Sequence, residues 1–393
     1  MDHILKCHEI VKTDFVRGEN CFLYDAEGRR YVDFESGIWC TALGHNHPRI
    51  SQVIESQLKQ VIHLGTRYPN QITEAAAKAV LNVVGMENGK CTFLISGSEA
   101  VEFGVQVIRR ITGKPLILTF NNSFLGSYGS AGTKKTEEWV LFEWLSCVDK
   151  NMDKCFKQIP FDRIGGFAFE PGGSGISFVQ FPPVQLIHRI VEEIRSRGGL
   201  ILVNEITTGM GRTGKWFGFQ HYGIQPDIVA IGKGLGNGYP VSVIAMRQEV
   251  ADKLEGSDFR YVQSHQNDPL GSAVAGEVIS LFREGDWVEK GNLLGGFFLN
   301  ELKQLARKHV VIKNARGRGM LLGLEFHPHE KITSTWAYHA LLEKGFLVGY
   351  YPAGNLLRFD PALTMEKENI LNLIESLDNI LSGATSKKPL AAF

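Results

Sequence analysis

Residues 182–205 read PPVQLIHRIVEEIRSRGGLILVNE, and this stretch decides the fold. Two prolines open it and two glycines interrupt it. Between them Val184, Ile187, Ile190, Val191 and Ile194 recur at the spacing that gathers them on one face of a helix. After the glycines LILV is apolar at every position and ends on Asn204. A strand that is apolar throughout, without alternation, is covered on both faces, as parallel strands are. With GFAFE (166–170) ahead of it, the stretch completes a βαβ unit.

The same pattern extends outward. TFLIS (92–96), LILTF (116–120) and DIVAI (227–231) are further buried strands, so the centre of the chain predicts an α/β fold with a mostly parallel sheet flanked by helices. The ends differ. VRGENCFLYDAEGRRYVDF (16–34) predicts a hairpin, and RGRGMLLGLEF (316–326), FLVGY (346–350) and NLLRF (355–359) alternate with helical stretches. The expected division is a large domain over 45–284 and a smaller α+β domain made of 1–44 and 285–393. The tail SGATSKKPLAAF (382–393) is expected to be disordered.

Composition narrows the function. The 393 residues hold 42 Lys+Arg against 42 Asp+Glu, so no excess charge draws the chain to nucleic acid or an anionic membrane, and the expected partner is a small molecule. Six scattered cysteines without a C-x-x-C pair argue against a zinc cluster or a disulfide framework and fit a reducing cytoplasm. The start, MDHILKCHEIVKTDF, lacks the apolar run of an export signal, and no apolar run is long enough to cross a bilayer.

Three motifs resemble sites without completing one. GMGRTGKW (209–216) has the spacing of a P-loop, but Trp216 stands where the magnesium-binding hydroxyl belongs. GKGLGNG (232–238) misses the dinucleotide spacing. His45 and His47 could suggest a metal, yet Pro48 follows at once and opens a helical stretch, so a polar loop is expected and no metal.

Lys233 follows DIVAIG at the carboxyl end of a predicted strand, the edge where open α/β sheets bind ligands. Asn204 ends another predicted parallel strand. A lysine nucleophile opposite a group that can hydrogen-bond a heterocyclic nitrogen is the pairing that pyridoxal phosphate needs. LISGSEA (94–100) adds an anion site, where a strand, Gly97 and Ser98 lead into a helix beginning near Glu99.

With these residues in view, the chain resembles the class III aminotransferases of pyridoxal-phosphate fold type I. NEITTGMGRTG (204–214) and HYGIQPDIVAIGKGLGNGYP (221–240) are similar to the family signature. So are GIWCTALGHNHPRI (37–50), SGSEAVEFG (96–104), FEPGGSG (169–175), QNDPLGSAVA (266–275) and LLRFDPAL (356–363). The resemblance implies that Lys233 is the Schiff-base lysine and general base and that Gly97 and Ser98 meet the phosphate. It implies that Phe124 and Ile206 flank the ring, and that Asn204 meets the ring nitrogen. Leu125 and Thr207 stand where the family has a histidine and a glutamine beside the ring, and Ser264 where a threonine reaches the neighbouring subunit's phosphate. A homodimer with shared sites follows from the last match. Trp39 and Arg358 are the substrate-binding candidates, the arginine for a carboxylate, with a surface ion pair as its alternative role.

Four substitutions gather at one ring: Asn204 for aspartate, Thr207 for glutamine, Leu125 for histidine and Ser127 for arginine. An amide at 204 keeps a hydrogen bond but not a charge. Two unit charges about 4 Å apart at an effective dielectric near 20 interact by roughly 4 kcal/mol, about three pKa units, so the ring nitrogen is expected to be less protonated than in relatives. Glu205 points to the opposite face of its strand and is expected to pair with Arg212 or another local base. The expected activity is transfer of an amino group between a small amine or amino acid and a 2-oxo acid. Racemase, epimerase or aminomutase chemistry on the same cofactor is the alternative, and a cofactor-binding protein with little turnover comes third.

Overall fold

The computed structural model describes residues 3–8, 10–148, 152–172 and 179–386. Strands β1 (Phe15–Glu19), β2 (Phe22–Asp25) and β3 (Arg30–Asp33) form an antiparallel meander, one strand more than a hairpin.

The central sheet holds β4 (Lys90–Leu94), β5 (Leu116–Phe120), β6 (Trp139–Phe142), β7 (Ile164–Phe169), β8 (Leu200–Asn204), β9 (Ile228–Ile231) and β10 (Ser242–Met246), in the order β4-β10-β9-β8-β7-β5-β6. From β9 to β6 every pairing is parallel. Neither β6 nor β10 is expected from sequence, and β10 lies antiparallel to both of its neighbours. Its direction has a simple cause. Only residues 232–241 separate β9 from β10, too few for the helical crossover that a parallel neighbour requires.

Both faces of this sheet are covered. On β8, Ile201 and Val203 join a core that includes Ile187, Ile190 and Ile194 of the helix Val184–Arg195. Leu202 joins the opposite core, with Val101, Val105 and Ile108 of the helix Gly97–Thr112. Asn204 follows Leu202 by two residues and therefore faces the second helix. Val184, placed on the buried stripe from sequence, is only partly covered, and Leu186 takes its place.

The remaining strands are β11 (Ile312–Arg318), β12 (Leu321–Phe326), β13 (Phe346–Leu347), β14 (Gly349–Tyr351) and β15 (Leu356–Phe359). Four of them form an antiparallel sheet in the order β11-β12-β15-β14, while β13 pairs in parallel with β3. Chain start and chain end thus share a sheet. The turn between β11 and β12 lies against the loop after β8: a Cβ on Gly319, at φ +53°, would stand 2.3 Å from the Gly214 nitrogen.

Two expectations fail here. Residues 382–386 of the tail belong to the helix Lys367–Ser386, whose stripe Ile370, Leu373, Leu377 and Leu381 is fully buried and anchors its end; 387–393 lie outside the described residues. Cys147 and Cys155, eight apart in sequence, form a disulfide, because the chain folds back and brings their Cα atoms to 6.4 Å.

Candidate active site

The carboxyl ends of five central strands converge on one rim. Ser96, Gly97 and Ser98 follow β4, Phe124 follows β5, Glu170 follows β7, Asn204 ends β8 and Lys233 follows β9. Parallel strands deliver their loops to the same edge, so residues distant in sequence meet there.

Lys233 takes a left-handed backbone conformation, φ +47°, which turns its side chain off the strand axis. Its ammonium nitrogen lies 4.4 Å from the centre of the Trp39 ring. Burial lowers the lysine pKa; Cys40 and Glu170 oppose the shift and Arg358 adds to it. A buried lysine with a lowered pKa holds more of its amine in the nucleophilic form.

Asn204, buried, donates from Nδ2 to the Phe124 carbonyl oxygen at 3.1 Å, and its Oδ1 accepts from the Ile206 N–H at 3.1 Å. These partners fix the amide's orientation, because reversing it would oppose oxygen to oxygen and N–H to N–H. The second hydrogen on Nδ2 has no acceptor among the described residues. The Glu170 carboxylate accepts the Phe124 N–H at 2.8 Å, so the Phe124 backbone is clamped at both polar atoms while the residue stays 42% exposed.

The anion cradle begins earlier than expected. The helix starts at Gly97, capped by Ser96, whose Oγ accepts the Glu99 N–H at 3.2 Å. Its first-turn N–H groups have no intrahelical acceptor, and Ser98 Oγ accepts from Ser127 N at 3.0 Å. Gly97 must lack a side chain, since a Cβ there would come within 2.8 Å of Ile206.

Arg358 is not a surface group. Only 4% exposed, it bonds through Nε to Asp360 at 2.6 Å, through Nη2 to Glu35 at 2.5 Å and through Nη1 to the Tyr351 hydroxyl at 2.9 Å, and it stacks 3.9 Å from the Trp39 ring centre. Trp39 therefore carries two cations. Burial works to lower the Arg358 pKa, but Asp360, Tyr351 and Glu35 more than reverse it. Burial raises the Glu35 pKa to about 7 even with that guanidinium beside it. Glu35 is the partner an incoming carboxylate could displace, being 32% exposed where Asp360 is 0%.

Glu205 does not pair with Arg212. Fully buried, it accepts from the Thr208 hydroxyl at 2.7 Å, the Gly218 N–H at 2.9 Å and the Phe219 N–H at 2.8 Å, because the loop over 217–219 turns its backbone donors toward it. Burial lifts its pKa to about 7 against those three bonds. Arg212 donates instead to the carbonyls of Met320 and Pro361 and to Ser36 Oγ.

Leu125 turns into the core beside the helix Gly97–Thr112. Thr207 is buried next to Ile206, and Ser264 is exposed on the turn before the helix Pro269–Glu284. His45 bonds through Nε2 to Asp33 at 2.7 Å. Sequence reasoning missed Glu170, Glu35, Asp360 and Tyr351. Asp360 was within reach, since a residue two after Arg358 in a strand shares its face. Glu35 was not, being 323 residues away.

Comparison with known proteins adds three observations. The family model "Aminotransferase class-III" matches residues 6–138 and 133–381. The acetylornithine aminotransferase of Aquifex aeolicus (strain VF5) is 32% identical over 97% of this chain and 100% of its own, and the leucine/methionine racemase of Thermococcus litoralis is 26% identical over 93% and 90%. The crystal structure of an S-selective transaminase from Arthrobacter sp. superposes with a TM-score of 0.89 at 23% identity, covering 98% of this chain and 97% of that one.

Proposed function

Because this chain belongs to the class III aminotransferase family and is a pyridoxal-phosphate-dependent aminotransferase of fold type I, we propose that Lys233 is its covalent anchor and its proton carrier. The amino group passes between a small amine or amino acid and a 2-oxo acid. One observation carries the assignment: Lys233 is a buried amine of lowered pKa on the same strand rim as Asn204, Phe124 and Gly97.

Pyridoxal phosphate supplies an aldehyde for the amine and a ring that draws electrons from the neighbouring carbon. The chain's own atoms fit it. The N–H groups at Gly97 and Ser98, with the Ser98 hydroxyl, would hold the phosphate at a helix start. The exposed Phe124 ring and the Ile206 side chain would hold the two ring faces, Leu125 shaping the wall behind Phe124 and Thr207 facing the ring hydroxyl. The second Asn204 Nδ2 hydrogen suits an unprotonated ring nitrogen, which accepts a hydrogen bond and carries no charge. With the cofactor bound, the Lys233 amine would carry the proton from the substrate's α-carbon to the former aldehyde carbon of the cofactor, while Trp39 covers the amine and limits water. Arg358 receives a substrate carboxylate when Glu35 gives way.

The reading includes a homodimer in which Ser264 reaches the neighbour's phosphate, with residues 45–284 as the large domain and the two chain ends as the smaller. Leu58 at the end of the helix Pro48–Leu58, Val61 and Ile62 on the loop after it, and Val262 near Ser264, all exposed, give a second copy of this chain an apolar surface; the contact of His63 with His265 brings the two loops together. A cytoplasmic location belongs to the same reading. Among the described residues no helix is long and apolar enough to cross a membrane.

Borohydride reduction of the cofactor-loaded protein followed by peptide mapping tests the anchor. The pyridoxyl mass is expected on Lys233, and its appearance on another lysine, or nowhere, would overturn the assignment.

A racemase reading has support of its own in Asn204 and in the racemase relative. Single amino acids in deuterated water separate the two. Inversion with α-deuterium and no keto acid favours racemisation; stoichiometric pyridoxamine phosphate favours amino transfer.

A further inference from the structure

We propose that Asp33 is a positioning residue for amino transfer: it fixes the left-handed turn Ser36–Trp39, which sets Trp39 against Lys233 and Arg358 and leaves Glu35 on the Arg358 fork. The inference rests on the reading of Lys233 as the anchor. Ser36, Gly37, Ile38 and Trp39 have φ of +44°, +57°, +58° and +67° in succession. Only the glycine adopts that conformation readily, and a β-branched residue such as Ile38 is rarely found in it. A run of this kind persists where its surroundings impose it.

The surroundings here are specific. Asp33, 3% exposed at the end of β3, accepts the Glu35 N–H at 2.7 Å and the Ser36 N–H at 2.9 Å on one oxygen. Its other oxygen lies 2.7 Å from His45 Nε2, and the His45 backbone is itself paired in both directions with Asn20. Ser36 Oγ donates to the Asp360 carbonyl oxygen at 2.6 Å and accepts from Arg212 Nη2 at 3.1 Å. The turn then closes through the Trp39 N–H on the Glu35 carbonyl at 3.1 Å and the Cys40 N–H on the Ser36 carbonyl at 2.8 Å. Among the described residues no hydrogen bond joins Asp33 to Lys233 or Arg358, so it acts on them through the turn.

What the turn delivers is the cover over the amine. The Trp39 ring centre lies 4.4 Å from Lys233 Nζ and 3.9 Å from the Arg358 guanidinium carbon. Burial is the largest influence on the Lys233 amine, ahead of Cys40, Glu170, Arg358 and Asp360, whose charges face it. A turn that unwound would admit water and return the amine toward its ordinary, higher pKa.

Absorbance titration of cofactor-loaded protein reads this, because the pH midpoint of the colour change reports protonation of the Lys233 nitrogen. Asp33→Ala should raise the midpoint by about half a unit or more. Asp33→Asn keeps an oxygen for the two N–H groups and should restore it. Because the aspartate acts through the ring, adding Asp33→Ala to Trp39→Ala should move the midpoint no further. Gly37→Val covers the case in which Asp33→Ala does not fold. Its position is exposed, an added Cβ would meet nothing nearer than 4.0 Å, and the β-branched side chain opposes the left-handed backbone, so a rise in the same direction is expected. A lowered unfolding temperature with an unmoved midpoint in Asp33→Ala and Gly37→Val, or additive shifts in the double variant, would overturn the proposal and leave Asp33 a residue of the fold alone. Borohydride labelling of Lys233 in the unaltered protein keeps that outcome distinct from failure of the anchor.

Discussion

The Asn204 side chain and the Phe124 carbonyl are joined by a 3.1 Å hydrogen bond in which the amide nitrogen donates. That bond makes position 204 structural as well as chemical. It holds the loop that carries an aromatic ring over the rim, while Oδ1 accepts from Ile206, which lies across the site. A carboxylate could make the second contact but not the first.

Asn204→Asp is therefore expected to act in two opposite directions. Without cofactor it should destabilise the protein by about 1–3 kcal/mol, because a buried carboxylate oxygen would face the Phe124 carbonyl. With cofactor it should favour ring-nitrogen protonation and speed proton removal from the substrate. Thermal unfolding of both forms checks the first effect, and absorbance titration with single-turnover kinetics checks the second; identical spectra and rates would count against the role given to the amide.

Gly97→Ala should weaken cofactor affinity tenfold or more. The added methyl would stand 2.8 Å from Ile206 and push it or the helix start into the cradle. Ile206→Val, with one methyl fewer, should restore part of the loss in the double variant, even though the single change costs about 0.5–1.5 kcal/mol of packing. Equilibrium dialysis of the cofactor reads both, and an additive double variant would show that the two residues do not oppose each other.

Arg358→Ala should lose stability as well as activity. Asp360 is wholly buried, and removing its guanidinium partner is expected to cost about 3–5 kcal/mol. Arg358→Lys keeps the charge and should recover much of that stability, yet it lacks the fork for a carboxylate and should raise KM for the acidic substrate. Urea unfolding beside steady-state kinetics separates the two; a lysine variant with unchanged KM would argue that the arginine only supports the fold.

Glu205 predicts a pH dependence. Its pKa is raised from 4.5 to about 7 in the folded state, so its contribution to stability is complete below the unfolded value and is lost as pH rises from about 4.5 to 7. The loss is at most roughly 3 kcal/mol. Glu205→Gln should flatten that part of the profile. Urea midpoints from pH 4.5 to 7.5 for the two proteins check it, and parallel profiles would refute it.

The sequence by itself determined the layers. Strands such as LILV, apolar at every position, can only lie inside a sheet covered on both faces, and the stripe on residues 184–194 supplies one of the covers. Glycine-rich turns after those strands marked the rim, and Lys233, Asn204 and Gly97 were legible there because strand ends are local features. Only the tertiary structure decided which groups meet. The direction of β10, the two carboxylates on Arg358, the backbone donors around Glu205 and the convergence of His63 with His265 all join residues that one-dimensional spacing leaves independent. Periodicity records which side of a helix or strand is buried; the partner on that side is set by how the elements pack, and packing depends on all of them at once.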